Sequence, residues 1–362
     1  EKRSVRDFAI HHSLRGEFAI RMGSWKLIDS RGSGGFSRPR KITPQSGQPA
    51  GQLYDLSKDP SETRNLWKTA PSVVDRLGIA LGDVVDPLPR QRIQFTSTAD
   101  GSEQEAILIL PESIDSSDKP IPVVVSLHSW SADLRQRNAL ERLVHDRGWI
   151  YLFPNFRGVN QTPQACGSEL AQQDILDALD WVSQRNPVDL SRVYLTGTSG
   201  GGHMTMLMAA RYPERWRAAS AWVGISDLAA WHKRHQGSKY GNMLEKCTQG
   251  APGTSPTVDA QYKARSPLTH LAAAKQVAID IAAGVHDGHT GSVPVRHSIE
   301  AFNEIAKANG SATVSEQEIQ QISLPNGRLD SAGAGDTGFD AAFGRDFYLR
   351  RQAGNARLTV FE

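Results

Sequence analysis

At 362 residues the chain is too long for one ordinary core and calls for two domains. Its 39% hydrophobic and 22% charged residues make a globular composition. A net charge of +2, with acids and bases mixed along the chain, gives no basis for a nucleic-acid or membrane-binding surface. No uninterrupted apolar run approaches the ~20 residues that cross a bilayer. A start at Glu1, without an initiator Met or a leader, reads as a cut inside a longer gene product.

Residues 1–88 differ in texture from the rest. Phe18-Ala19-Ile20-Arg21 and Trp25-Lys26-Leu27-Ile28 read as two short strands, with Met22-Gly23-Ser24 as a hairpin turn between them. A Gly/Ser/Pro-rich loop over residues 32–51 follows, then Gln52-Leu53-Tyr54-Asp55-Leu56 and the turn Ser57-Lys58-Asp59-Pro60. A helix is expected from Pro71, with Val73, Val74 and Leu77 on one face, and Pro87-Leu88-Pro89 reads as a linker.

Three strings in this segment carry a family resemblance: His11-His12-Ser13-Leu14-Arg15-Gly16, the stretch from Phe18 to Ile28, and Gly51-Gln52-Leu53-Tyr54-Asp55-Leu56 running into Asp59-Pro60-Ser61-Glu62-Thr63 and Asn65-Leu66. The segment resembles the C-terminal subdomain of arylsulfatase-type sulfatases, which implies a small α+β unit. Those enzymes act through a Cys or Ser in a C/S-x-P-x-R context together with a calcium site. The nearest string, Ser37-Arg38-Pro39-Arg40-Lys41, has no Arg at the required place, so no sulfatase chemistry is expected here. The His11-His12 pair reads as structural. An upstream sulfatase domain in the full gene product is the partner that the resemblance implies.

From about residue 90 the pattern turns to strand–helix alternation, which implies a mostly parallel sheet. Apolar strands are expected at Ala106-Ile107-Leu108-Ile109-Leu110, Val123-Val124-Val125-Ser126-Leu127 and Ile150-Tyr151-Leu152-Phe153. Residues 169–182 place Ile175, Leu176, Leu179 and Val182 on one helical stripe. A strand at Val193-Tyr194-Leu195-Thr196, a helix over 202–211, strands over 218–223 and 277–283, a helix ending near Asn309 and a strand over 357–361 complete the series. Continuous apolar strands joined by crossover helices predict a sheet covered on both faces.

Thr196-Gly197-Thr198-Ser199-Gly200-Gly201 contains G-x-S-x-G directly after a strand and before a helix, the context in which the motif marks a nucleophile. The sharp turn leaves no room for a Cβ at the flanking glycines and lifts the Ser199 hydroxyl above the sheet edge, at a helix N-terminus. The bland alternative is an ordinary glycine-rich turn. Leu127-His128-Ser129-Trp130 leaves an apolar strand and is read as the source of one oxyanion-hole amide. Trp130 is assigned to it, with Ser129 the alternative, and Gly200, the residue after the nucleophile, supplies the other. His128 reads as a brace for the loop.

Gly284-Val285-His286-Asp287-Gly288-His289 follows a strand, and Asp287 is read as the acid that orients the base; its alternative role is that of a turn residue. Asp227, after the preceding strand, is the rival, with helix capping as its alternative role. The base should follow the last strand, yet no histidine lies beyond His297. His203 sits one turn down the nucleophile helix, His286 and His289 flank Asp287 too closely, and His297 falls in the next helix. The expectation is therefore a catalytic histidine just past Glu362.

Cys166 and Cys247 lack zinc spacing. They read either as one disulfide or as two buried thiols. The chain calls for neither metal nor cofactor.

The nucleophile and acid motifs, with Val125-Ser126-Leu127-His128-Ser129-Trp130-Ser131, Phe153-Pro154-Asn155-Phe156-Arg157-Gly158 and the stretch from Gln173 to Trp181, make residues 120–362 similar to α/β-hydrolases of the esterase and prolyl-oligopeptidase-like kinds. The resemblance implies a serine hydrolase domain over 89–362 behind the sulfatase-like segment over 1–88. The resemblance implies a Ser-Asp-His triad and an acyl-enzyme but says little of the substrate; the sulfatase-like neighbour is what points to a carboxylesterase deacylating carbohydrate, sulfated carbohydrate included. Export to the periplasm or the extracellular space goes with it. Trp130, Trp222 and Trp231 are read as able to stack on sugar rings or to pack in the core. Arg157 is read as meeting an anionic group or pairing with a carboxylate. The competing readings are an oligopeptidase-type peptidase, whose relatives carry a propeller that 88 residues cannot form, and a binding module with a dead site.

Overall fold

The computed structural model describes residues 7–362 apart from 14–15, 36, 46, 113 and 115–118. Glu1, read above as a cut point, and Leu14 and Arg15 of the sulfatase-like string lie outside the described residues. The chain divides into two compact units, Glu1–Pro89 with Arg137–Leu143, and Arg90–Gln136 with Val144–Glu362.

In the first unit, β1 (Ala9–His12), β2 (Phe18–Met22), β3 (Trp25–Ile28) and β4 (Gln52–Asp55) form an antiparallel sheet in chain order. Gly23, at φ 59°, turns β2 into β3. Helix α1 (Pro71–Val85) starts on a proline, whose missing N–H is not needed there. It buries Leu77 and Leu81 against Ile20, Leu27 and Leu53. The segment Arg137–Leu143, which no change of sequence texture marks, joins this unit through ion pairs of Arg137 with Asp83 and of Arg142 with Asp86.

The second unit is built on a ten-stranded mixed sheet. Its elements in chain order are β5 (Arg90–Thr96), β6 (Glu103–Ile109), β7 (Ile121–Leu127), α2 (Leu140–Asp146, which begins in the first unit), β8 (Ile150–Pro154), α3 (Glu169–Ser183), β9 (Val188–Thr198), α4 (Gly200–Arg211), β10 (Ala218–Trp222), α5 (Leu228–His235), α6 (Lys239–Thr248), α7 (Pro256–Arg265), β11 (Ala278–Gly284), α8 (Val295–Ala308), α9 (Glu316–Ile322), β12 (Gly338–Asp340), β13 (Arg345–Ala353) and β14 (Ala356–Phe361). The spatial order is β12-β13-β14-β11-β10-β9-β7-β8-β6-β5. The six strands from β8 to β14 run parallel, and the two at each edge pair antiparallel. The chain steps from β7 outward to β8, then returns to place β9 on the other side of β7. This reversal is a topological switch point, and open α/β sheets bind their ligands beyond the carboxyl ends of the strands at such a point, here β7 and β9.

One sheet face is buried under α3, α4 and α8, through residues such as Ile175, Leu179, Leu207, Ile299 and Phe302. The opposite face is buried at Tyr151 and Phe153, but Tyr194, Thr196, Ser220, Asp280 and Arg357 stay half-exposed. The even cover expected from apolar strands thus holds on one face and thins from β9 outward on the other.

Between β10 and β11 the chain inserts α5, α6 and α7, which build a second small core with Trp130, Trp231, Met243, Leu244 and Tyr262. Cys166 and Cys247 are joined in it as a disulfide, with Cα atoms 6.2 Å apart and a sequence separation of 81. Cys166 lies in the loop after β8, whereas Cys247 lies in α6. A loop of this length removes about 4–5 kcal/mol of chain entropy from the unfolded state. Replacing both cysteines by serine is expected to lower stability by a comparable amount, read as a fall in the denaturation midpoint. Two free thiols by mass in protein from an oxidising compartment would refute the pairing.

Candidate active site

The nucleophile candidate sits where β9 breaks into α4. Ser199 has φ 59° and ψ −115°, a conformation that costs a residue with a Cβ on the order of 1–3 kcal/mol and marks a turn held in place by its surroundings. Here the Ser199 amide donates to Trp222 O at 2.8 Å, and Ser199 O accepts from the His203 amide at 2.9 Å. These bonds tie the turn to β10 on one side and to α4 on the other.

The loop after β7 closes directly over this turn. A Cβ on Gly200 would stand 2.2 Å from the Trp130 nitrogen, so the Trp130 amide lies hard against the Gly200 backbone and glycine is required. The Ser129 amide is already taken, donating to Gln136 Oε1 at 2.8 Å. Among the described residues the amides of Trp130 and Gly200 have no acceptor. This favours Trp130 over Ser129 as the free donor beside Gly200. Neither Gln136 nor Asn160, whose amide and side-chain nitrogens donate to Trp130 O at 3.1 and 3.2 Å, was singled out in the sequence. Both are common polar residues in loops and carry no spacing signal.

His128 is fully buried, stacked on Phe156 with ring centroids 3.8 Å apart, and its ring nitrogens meet Ser129 O and Asn155 O. It braces the loop, and burial holds its pKa below the usual histidine range.

Asp287 lies in the turn after β11. Its Oδ2 accepts the Gly284 amide at 2.7 Å, and burial raises its pKa above the ordinary aspartate value, while that amide and His286 pull it down. β11 pairs with β14 so that Gly284 lies opposite Phe361. A Cβ on Gly284 would stand 3.7 Å from Asp287 Oδ2 and 3.9 Å from Glu362 O, which places this carboxyl at the carboxyl end of β14. β9 and β11 are separated by β10 alone. Two strand spacings amount to about 10 Å, room for an imidazole between hydroxyl and carboxylate. Asp227 is used differently: its Oδ1 accepts the amides of Ala229 and Ala230 and caps α5.

No described histidine hydrogen-bonds Ser199 or Asp287. His203 Nε2 contacts Arg265 O at 2.8 Å, and burial pushes its pKa down to about 4. His297 Nδ1 accepts from the Ser226 and Asp227 amides, and burial likewise pushes it down to about 4. His289 bonds Ser323 O, and His286 is exposed.

Two expected substrate contacts are corrected. Arg157 donates to Asp174 at 2.5 Å and to Asp100 at 2.8 Å, with Ser97 as a further acceptor. Its guanidinium is thus saturated by two carboxylates and is not offered to an anionic ligand. Trp231 is fully buried, with its ring against Trp130 and its Nε1 donating to Ser292 O at 2.9 Å, so it cannot stack on a sugar. Trp130 is buried as well, and Trp222 stacks on Phe361. Among the described residues no group of three His, Cys, Asp or Glu could hold a metal, and no helix is long and apolar enough to cross a membrane.

The profile of the prolyl oligopeptidase family matches residues 136–317, which is half of the chain. The chain is 22% identical over 251 residues to acylamino-acid-releasing enzyme 2 of Oryza sativa, a match covering 64% of this chain and 31% of that protein. It is 25% identical over 187 residues to acetylxylan esterase A of Emericella nidulans, covering 49% of this chain and 60% of that protein. The chain thus spans between about a third and three-fifths of the length of these relatives. Among solved structures, the uncomplexed acylaminoacyl peptidase of Pyrococcus horikoshii superposes with a TM-score of 0.51 at 17% identity, over 81% of this chain and 52% of that one. This likeness fixes the fold as that of an α/β-hydrolase.

Proposed function

The chain belongs to the prolyl oligopeptidase family of serine hydrolases, and from that premise we propose that it is a carboxylesterase removing acyl groups from carbohydrate. The observation that carries the reading is the strained Ser199 beside two amides, of Trp130 and Gly200, that are close together and without acceptors among the described residues. In the proposed reaction Ser199 Oγ attacks the ester carbonyl, and an imidazole standing between Ser199 and Asp287 takes its proton. The carbonyl oxygen becomes an oxyanion that accepts from Trp130 N–H and Gly200 N–H, each such donor contributing about 2.7–4 kcal/mol in comparable sites. The sugar alkoxide leaves with the imidazolium proton, and water then releases the acid from the acyl-Ser199 ester by the same steps in reverse.

Likeness to an acetylxylan esterase favours an acylated sugar. The neighbouring segment that resembles a sulfatase subdomain extends the candidates to sulfated polysaccharides. The Cys166–Cys247 disulfide supports export, because such bonds persist in oxidising compartments. A second reading, an aminoacyl-releasing peptidase, is favoured by the acylamino-acid-releasing relative.

The two readings are separated by assaying the full-length gene product on acetylated and feruloylated sugars beside aminoacyl and dipeptidyl anilides. The sugar esters are expected to show the higher kcat/KM. Faster turnover of the anilides would promote the peptidase.

A further inference from the structure

We propose that Trp231 is a positioning residue that locks the oxyanion side of the site to its acid side; the inference rests on the reading of Ser199, Trp130 and Asp287 given above. Helix α5 presents one stripe to the loop carrying Asp287. Trp231 Nε1 and His235 Nε2 both bond Ser292 O, at 2.9 and 2.7 Å, and Arg234 donates to Gly288 O. Positions 231, 234 and 235 share a face because they are three and four residues apart.

The loop is closed at its own base. The Val295 amide donates to Asp287 O at 3.2 Å, and Gly288 has φ +88°, where a Cβ would stand 2.6 Å from Pro294 Cα. Its outer turn is held by these α5 bonds and by the His289 ring against Ser323 O at 2.9 Å. The Trp231 indole also packs on Trp130, ring centroids 5.0 Å apart at 66°, and Trp130 supplies the free amide beside Gly200. One buried ring thus contacts both loops. Tyr240 and the His235 ring, each 5.1 Å from it, fix its orientation. The helix that bears the ring is itself capped by Asp227, whose carboxylate serves the site by starting α5 in the right place.

Trp231→Phe keeps an aromatic ring against Trp130 and deletes the donor to Ser292 O. In the full-length protein it is expected to lower kcat for an activated acetyl ester about ten- to hundredfold, the scale on which small displacements of catalytic groups act, with KM changed less than twofold. The acid limb of the kcat–pH profile should shift as well, because Asp287 is displaced relative to the base. Tyr262→Phe, which deletes a hydroxyl bonded to Gly250 O in the same small core, is the comparison for loss of packing alone. It should leave kcat and the pH profile unchanged. His235→Leu, which removes the second donor to Ser292 O, should reproduce the kcat loss in part and serves if Trp231→Phe does not fold. The proposal is overturned if folded Trp231→Phe keeps kcat within twofold and an unshifted profile, or if Tyr262→Phe loses as much. Ser199→Ala runs beside them: an active Ser199→Ala would sink the reading of the site, whereas an inactive one with a fully active Trp231→Phe would sink the positioning role alone.

Discussion

Ser199→Ala in the full-length protein is expected to lower kcat for ester hydrolysis on the order of 10⁶-fold, as loss of the nucleophile does in other serine hydrolases, and to abolish labelling by a fluorophosphonate. The residual rate should still exceed that in water, because the Trp130 and Gly200 amides remain to receive the oxyanion. The substitution is a clean one. Alanine keeps the Cβ, so the strain at φ 59° is the same in both proteins, and the anchoring bonds from Ser199 N to Trp222 O and from His203 N to Ser199 O are backbone bonds. Thermal stability should therefore stay within a few tenths of a kcal/mol. Unchanged turnover by Ser199→Ala would end the assignment.

The strained strand–helix turn at Ser199 was readable because its constraint is local. Gly197, Ser199 and the glycines after it are contiguous, and the strand before them is apolar. The parallel core was readable for a similar reason: every residue of β7 is buried, so its apolar run admits few other interpretations. The edges were not. β5 reads Arg-Gln-Arg-Ile-Gln-Phe-Thr and turns just Ile93 and Phe95 inward. β13 carries Arg350 and Arg351, which are neutralised by Asp340 and by Glu318 and Asp336, none of them adjacent in sequence. Arg157 shows the same limit at the site. Its partners Asp174 and Asp100 are 17 and 57 residues away, and nothing in the local string reveals that both will converge on it. Trp231 could have been a sugar platform or a core ring by residue type. Burial decided the matter, and burial depended on the α5–α7 insertion, whose short polar helices bury single stripes into a core of their own.

Asp287→Asn is expected to lower kcat on the order of 10⁴-fold, the loss seen in well-studied triads when the acid can no longer hold the imidazole in the right tautomer, without weakening the fold. The second half of this expectation follows from the sign of the pKa shift. Burial raises the Asp287 pKa above its value in the unfolded chain. The native state therefore favours the protonated carboxyl, and the stability that goes with it is present at low pH and lost as pH rises through the folded pKa. Above that pH the native protein carries a half-buried carboxylate at a net cost, held by the bond from the Gly284 amide. Asparagine is close in shape, keeps an oxygen for that amide and carries no charge, so at neutral pH the variant should unfold at the same temperature or higher. Asp227→Asn should do the reverse. Its carboxylate caps α5 through the amides of Ala229 and Ala230, where asparagine caps almost as well, so turnover should be nearly intact and stability slightly lower as the charge at the helix N-terminus is lost. The two variants thus separate in both observables. Should Asp227→Asn be inactive and Asp287→Asn active, the acid belongs to the end of β10 and not to that of β11.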